Sequence, residues 1–220
     1  MFAEDMGPKA LPRAGFGKDS VEVEGYVRGF SRRRADVEIS MPRLANIVGP
    51  GIKTSLTDYF SLPVIPTPLG FDARLQLVHE EDALRGLLLA TMGAPVGIVN
   101  VAGDGFISLQ QAARLAGRVS VPVPMSASAL LGRFVKSAGL ADFSQDQMQY
   151  LAWGRGMDTT KMREVLHLEP EFTTRAAFED FISHLGPGLP GSAAIGSAVN
   201  GLASSAASAL THVLASGRNG

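Results

Sequence analysis

The feature of this sequence that most restricts its fold is the switching of its apolar residues between helical and strand periods. From Asp19 to Arg34, Val23, Tyr26, Val27 and Phe30 recur at i, i+3, i+4 and i+7, one face of a helix with Asp19 at its N-cap. Val37, Ile39 and Met41 then alternate with polar residues as a strand does, and Pro42 makes the continuation irregular. Leu75, Leu77 and Val78 read as a short strand, followed by a helix capped by Asp82 and carrying Leu84, Leu87 and Leu88. Ile98 to Val101 is a further strand. Ser108 and Gln111 form a capping box before an Ala/Leu helix, whose C′ position suits Gly117, and Val119 to Pro124 is extended. Strand and helix thus alternate through the first half of the chain, which predicts an α/β fold.

Helices dominate afterwards. Leu130, Leu131, Phe134 and Val135 share a face of a helix ending near Gly139, and Ser144 with Gln147 repeats the capping box. Met162, Val165 and Leu166 mark another helix, and Ala177, Phe178, Phe181, Ile182 and Leu185 a last one, stopped by Gly186-Pro187. Gly49, Pro50, Gly51, Pro63, Pro66 and Pro68 lie among aromatic and aliphatic residues, so 49–68 reads as a long ordered loop of the kind that serves ligands. Beyond Gly186, Ala, Gly and Ser prevail and Arg218 is the only charged side chain. Ile195, Val199, Leu202, Ala206, Leu210 and Val213 line one weak helical face there, weakened by Gly196 and Gly201. The expected organisation is a body over 1–185 and a flexible or weakly helical tail over 186–220.

Charge and composition exclude several functions. With 45% hydrophobic and 19% charged residues the chain has the balance of a globular protein. A net charge of −1 lacks the sustained basic surface that a nucleic acid requires. The run Arg32-Arg33-Arg34 instead complements a helix C-terminus. Without cysteine there is no disulfide, thiolate nucleophile or cysteine zinc site, and His79, His167, His184 and His212 have no metal-binding spacing. Small and polar residues in the tail argue against a membrane span, and Met1 to Lys18 has no apolar leader, so the expected location is cytoplasmic.

Two glycine-rich turns miss their motifs. Gly49-Pro50-Gly51-Ile52-Lys53-Thr54 lacks the spacing of a phosphate loop, with no glycine before Lys53. Gly103-Asp104-Gly105 lacks the third glycine of a dinucleotide fingerprint and reads as a turn. No Gly-x-Ser-x-Gly elbow marks a serine nucleophile.

Four ordered segments carry a resemblance. Arg43-Leu44-Ala45-Asn46-Ile47-Val48-Gly49-Pro50 resembles the Arg-x-x-Asn-x-x-Gly-Pro signature of extended short-chain dehydrogenases of the NAD-dependent epimerase/dehydratase type. Arg74-Leu75-Gln76-Leu77-Val78-His79-Glu80-Glu81-Asp82 is similar to the family's Arg-x-x-Phe-Val-His-Val-Asp-Asp segment. Gly97-Ile98-Val99-Asn100-Val101-Ala102-Gly103 with Ser108-Leu109 is similar to its Gly-x-Tyr-Asn-Val-Gly-Gly stretch and capped helix. Asp158-Thr159-Thr160-Lys161 with Leu168-Glu169-Pro170 resembles a late Asp-x-Ser-Lys element. The resemblance covers Phe2 to Leu185 and implies the second half of a Rossmann-like fold with a C-terminal helical substrate-side region. It also implies NAD as cofactor and a nucleotide sugar as ligand, as for a UDP-glucose 4-epimerase. Asn46 would touch the sugar nucleotide or nicotinamide, and Arg74 would bind a diphosphate, a bidentate task that guanidinium suits. The alternatives are a loop-ordering amide for Asn46 and a surface ion pair for Arg74, while His79 and Asp82 are expected to be structural.

The departures bear on chemistry. The family's Tyr-x-x-x-Lys pair, with a Glu four residues on, falls in this register on Phe16, Ser20 and Glu24. Its tyrosine is the acid/base because a lysine ammonium and the nicotinamide charge lower its pKa; Phe16 has no proton to exchange and Ser20 supplies no charge. Lys18 would point off that face, and Tyr26 lies further along the helix. Hence no catalytic residue is expected. The glycine-rich turn that seats a dinucleotide pyrophosphate on a helix N-terminus would also precede Met1-Phe2-Ala3-Glu4-Asp5-Met6. A chain starting there would expose a parallel-sheet edge, so the missing half is expected from upstream coding sequence, from a separate chain, or not at all in a relic. The expectation is an epimerase/dehydratase-like protein that acts on or binds a nucleotide sugar and is inactive as this chain alone. The alternative is a non-catalytic nucleotide- or partner-binding module. A homo-oligomer is a further option.

Overall fold

A computed structural model describes residues 1–7, 16–124, 151–152, 154 and 156–185, without the Phe16 side chain. The helix expected around Leu130 to Val135, the Ser144/Gln147 capping box, the stop at Gly186-Pro187 and the tail lie outside the described residues.

Helix α1 spans Phe16–Arg33, so Asp19 sits in its first turn instead of capping it, and Arg32 and Arg33 close its last turn as expected. The predicted apolar face is divided: Val23 is 62% and Tyr26 70% exposed, whereas Val27 and Phe30 are half-buried. Glu24 and Arg28 lie on the inward side, held there by polar contacts. Strand β1, Ser40–Leu44, begins later than the Val37 alternation suggested and runs through Pro42. Among the described residues β1 pairs on one side only, in parallel with β6, Gly97–Val101, so the missing proline N–H breaks no ladder bond.

One residue later β2, Asn46–Val48, continues the same extended run with a new neighbour, β5, Leu77–His79. Ala45 still donates to Val101, whereas Asn46 already lies opposite Leu77. Beyond that point the carbonyl of Leu77 accepts from Gly103 at 2.7 Å, and its N–H is taken by the Thr174 hydroxyl at 3.2 Å. β5 therefore fits between β2 and the chain leaving β6, and a side chain completes the hydrogen bonds of its far edge.

Strand alternation sends successive residues to opposite faces. Leu77 and Val48 join a core with Tyr59, Phe60, Leu75 and Phe178, while Val78 and Ala45 join a second core with Val99, Val101 and Met162. Helix α3, Glu80–Met92, covers the second core through Ala83, Gly86 and Ala90. A Cβ on Gly86 would lie 3.2 Å from Leu168 and 3.3 Å from Val101, so the small residues set how closely helix and sheet approach. Leu84, Leu87 and Leu88, which the sequence places on this helix, point to solvent.

The region 49–68 is more structured than a loop. It holds α2, Ser55–Ser61, with a reciprocal Thr54/Thr57 capping box, and β3, Val64–Pro68. β3 pairs in parallel with β8, Val119–Val123, and the short β4, Arg74–Leu75, pairs antiparallel with β7, Ile107–Ser108. The Ser108/Gln111 box opens α4, Leu109–Leu115, and Gly117 takes the left-handed C′ position at φ 62°, both as the sequence predicts. Two more helices complete the body: α5, Thr160–Glu164, and α6, Thr174–Ser183, which buries Ala177, Phe178 and Phe181. Val165 lies beyond α5 and is 45% exposed, whereas Met162 and Leu166 are buried. The architecture is a Rossmann-like α/β arrangement of three parallel pairs and one short antiparallel pair with helices on both faces.

Candidate functional site

The switch from β6 to β5 as neighbour of the 40–48 run exposes Asn46 at the start of β2. Arg74 opens β4, three residues before Leu77, the strand partner of Asn46. Both side chains are exposed. Among the described residues neither has a hydrogen-bond or ion-pair partner. Asn46 thus does not order a loop, and Arg74 is not held in a surface ion pair, within that set. Strand geometry instead offers an amide and a guanidinium to solvent, the donor types that meet a phosphate or a sugar hydroxyl.

Below them, α1 is tied to β1. Arg43 donates from Nε to Glu24 Oε2 at 3.0 Å and from Nη2 to Glu24 Oε1 at 2.5 Å, a bidentate pair with side chains 11% and 21% exposed. Arg28 adds a 2.8 Å bond to the same carboxylate. The Arg43 guanidinium, ahead of the opposing effect of burial, holds Glu24 below the usual carboxylate range. Arg43 also reaches the carbonyls of Ala3 and Met6 and lies 4.9 Å over the Phe2 ring. The first residues are further fixed by a Phe2–Met157 bridge and by Asn100, whose Nδ2 donates to the carbonyls of Phe2 and Asp158. The Glu24–Arg43 pair joins two segments that the sequence registers separately. That register puts Phe16 and Ser20 one turn apart at the start of α1. Lys18 pairs with Glu22 at 3.5 Å on the surface, and Tyr26 is exposed, so neither is drawn toward the Phe16/Ser20 positions by these contacts.

The loop after β2 meets an internal anion. The amide of Gly51 donates to both oxygens of Glu80 at 3.0 Å, and Glu80 is the first residue of α3. A group that already satisfies the loop leaves it as a turn, as its spacing predicts, and Gly103-Asp104-Gly105 is likewise a bend whose Asp104 carbonyl accepts from Thr174. Neither fits a dinucleotide pyrophosphate, which needs unengaged amides at a helix N-terminus. No group of His, Cys, Asp or Glu among the described residues is arranged to hold a metal ion.

His79 and Asp82 have structural duties, but the cap expected at Asp82 is made by His79. His79 caps α3: Nδ1 accepts from the Glu81 amide, which leaves the proton on Nε2 for Asp180 at 3.1 Å. Its ring stacks on Phe172 with centroids 3.8 Å apart. Asp82, expected as the cap, lies in the first turn of the helix and accepts from the amides of Glu171 and Phe172, both at 3.0 Å, and from Arg85 at 3.1 Å. Two polar residues escape a reading of the sequence for ligands. Gln76 is 5% exposed and clamps Gly103 and Met157, and Glu80 holds the loop amide. The signal for Gln76 is a polar residue inside the apolar run Leu75-Gln76-Leu77.

A cavity of about 320 Å³ lies between the Gly49–Lys53 loop, α2 and the end of α6, with Pro50, Lys53, Asp58, Phe181, His184 and Leu185 on its walls. Asn46 and Arg74 do not line it.

No protein-family model matches the chain. An uncharacterised protein of Mycobacterium tuberculosis (strain H37Rv) is 44% identical over 181 residues, as is one of Mycobacterium bovis, covering 82% of this chain. The chain spans about half the length of these curated relatives, 48%. Among solved structures, a UDP-glucose 4-epimerase with UDP-glucose from Thermotoga maritima matches at a TM-score of 0.56 and 17% identity, over 84% of this chain and 57% of that one. A UDP-glucuronic acid 4-epimerase from Bacillus cereus, in complex with UDP-glucuronic acid and NAD, matches at 0.55 and 13%, over 83% and 55%. RMD from Pseudomonas aeruginosa, complexed with NADPH, matches at 0.52 and 12%, over 82% and 59%. The fold of this chain is the Rossmann-like α/β fold of nucleotide-sugar epimerases. Among the described residues no helix is long and apolar enough to cross a membrane.

Proposed function

We propose that this chain is the sugar-nucleotide side of an epimerase/dehydratase-like protein, and that by itself it binds the diphosphate of a nucleotide sugar without converting the sugar. The observation that carries this reading is Arg74, an exposed guanidinium on a short strand with no partner among the described residues. Asn46 stands on the strand that neighbours the same run and supplies a second polar contact. Phe16 and Ser20, which the family resemblance puts at the tyrosine and lysine positions, provide neither an ionisable phenol nor an ammonium. NAD would be held by a dinucleotide-binding half, since the two glycine turns of this chain do not fit it.

Calorimetric titration of UDP-glucose and of UDP into the purified chain tests the reading. Arg74→Ala is expected to weaken both at least ~10-fold, the loss of one charge-assisted contact, with unchanged thermal stability. Adding NAD to UDP-glucose should give no UDP-galactose. Absence of binding to the native chain overturns the reading, and turnover overturns its second half. A partner-binding or scaffolding module of the same fold is the second reading, favoured by the same loss of tyrosine and lysine; binding of a protein in place of UDP would select it.

A further inference from the structure

Phe106 is 42% exposed, an aromatic side chain that neither core takes in. Single exposed apolar residues are ordinary on a protein surface. What sets Phe106 apart is its place beside Arg74. β4 and β7 pair Arg74 with Ser108 and Leu75 with Ile107, so one step further Phe106 comes opposite Gln76. Side chains two apart on a strand share a face, which puts Arg74, Gln76, Phe106 and Ser108 on one side of this ribbon. Contacts agree: a Cβ on Gly156 would lie 2.6 Å from Cε1 of the Phe106 ring and 3.8 Å from Gln76 Oε1. Arg74 and Phe106 are then diagonal neighbours across the strand pair, their backbones about 7–8 Å apart.

The backbone that carries both residues is held in place. Gly154, at φ 61°, comes so close to Arg74 that a Cβ would overlap its carbonyl oxygen. Gln76 donates from Nε2 to the Gly103 carbonyl at 3.0 Å and accepts from the Met157 amide at 2.7 Å. Ser108 caps α4 by accepting from the Gln111 amide. Among the described residues of this face, the two neutral polar side chains are thus engaged within the fold, and a guanidinium and an aromatic ring are offered outward.

A cation set about a ribose length from an open apolar ring is complementary to a nucleoside diphosphate, with the diphosphate on the guanidinium and the base on the ring. We propose that Phe106 is the base platform of the Arg74 site and stacks the nucleobase of the bound nucleotide sugar, a proposal that rests on Arg74 taking the diphosphate. Stacking uses the π-face that every base has, and Gln76 and Ser108 are committed elsewhere, so the platform accepts a purine as it does uracil. Paired strands hold ring and guanidinium in place before the ligand arrives, which lowers the ordering cost of binding.

Calorimetric titration of UDP, ADP and inorganic pyrophosphate into the full chain and its variants tests the proposal. Phe106→Ala, altered at an exposed position, should weaken UDP and ADP by roughly 10-fold while pyrophosphate binding and the melting temperature stay as they are. Phe106→Trp should restore the nucleotides, and Phe106→Leu, apolar but without a π-face, should not. Arg74→Ala should weaken all three ligands. UDP binding that survives Phe106→Ala, pyrophosphate binding that falls with it, rescue by leucine, or a native chain that takes UDP and refuses ADP would each overturn the platform and leave the diphosphate reading standing. A native chain that binds none of the three overturns both.

Discussion

Replacing Arg43 by Met removes a charge but keeps most of the side chain's length, and it probes the pair that sets the register of α1 against β1. Two unit charges about 4 Å apart attract by roughly 4 kcal/mol at an effective dielectric of 20. Desolvation of the two side chains, 11% and 21% exposed, takes back part of that. A net coupling of about 1–3 kcal/mol between Glu24 and Arg43 is expected, because Arg28 remains to pair with the orphaned carboxylate. Urea denaturation of the native chain, Arg43→Met, Glu24→Gln and the double variant gives this coupling directly. The pH dependence has a fixed sign. Glu24 titrates lower in the folded chain than unfolded, so its contribution is complete above the unfolded glutamate pKa and disappears as pH falls through the lower, folded value. The difference between native and Arg43→Met stability should therefore be full at neutral pH and shrink on acidification through that window. A coupling below about 0.5 kcal/mol, the range of an exposed pair, would refute the reasoning.

Two further outcomes test how β5 is held. Thr174→Val keeps the shape of a fully buried side chain but leaves the Leu77 N–H without its acceptor, so urea unfolding should show a loss of about 1–3 kcal/mol. Gly103→Ala places a methyl 2.8 Å from the Phe172 carbonyl and 2.9 Å from that of Leu77; calorimetry should show a melting temperature lower by several degrees, about 2–4 °C per kcal/mol. An unchanged melting temperature would mean that the two backbones separate without cost.

Local chemistry made part of this fold legible in the sequence. The Ser108/Gln111 box, the left-handed Gly117 and the strand at Gly97–Val101 rest on interactions within a few residues, and they stand where the sequence places them. The order of the four family-like segments likewise predicted parallel strands, and β1 with β6 and β2 with β5 are parallel. For Asn46 and Arg74, residue type pointed to ligand chemistry, but only the tertiary structure shows that both side chains are exposed.

Periodicity alone could not tell which face of a helix meets the core. It grouped Leu84, Leu87 and Leu88 correctly, and Val23 with Tyr26, yet both groups point outward. On α3 the opposite face is also uncharged at Ala83, Gly86 and Ala90, and its small volume lets the helix approach Val101 and Leu168 within contact distance. That choice depends on the shape of a sheet assembled from distant residues. The same holds for His79 and Asp82: both can cap a helix, and what separated their roles was a loop about 90 residues away, whose Glu171 and Phe172 amides required a buried carboxylate. Sequence thus determined which residues act together, through rules that operate over one or two turns. Tertiary structure decided which way they face, because that is fixed by packing volume and by hydrogen bonds that only close when the chain returns on itself.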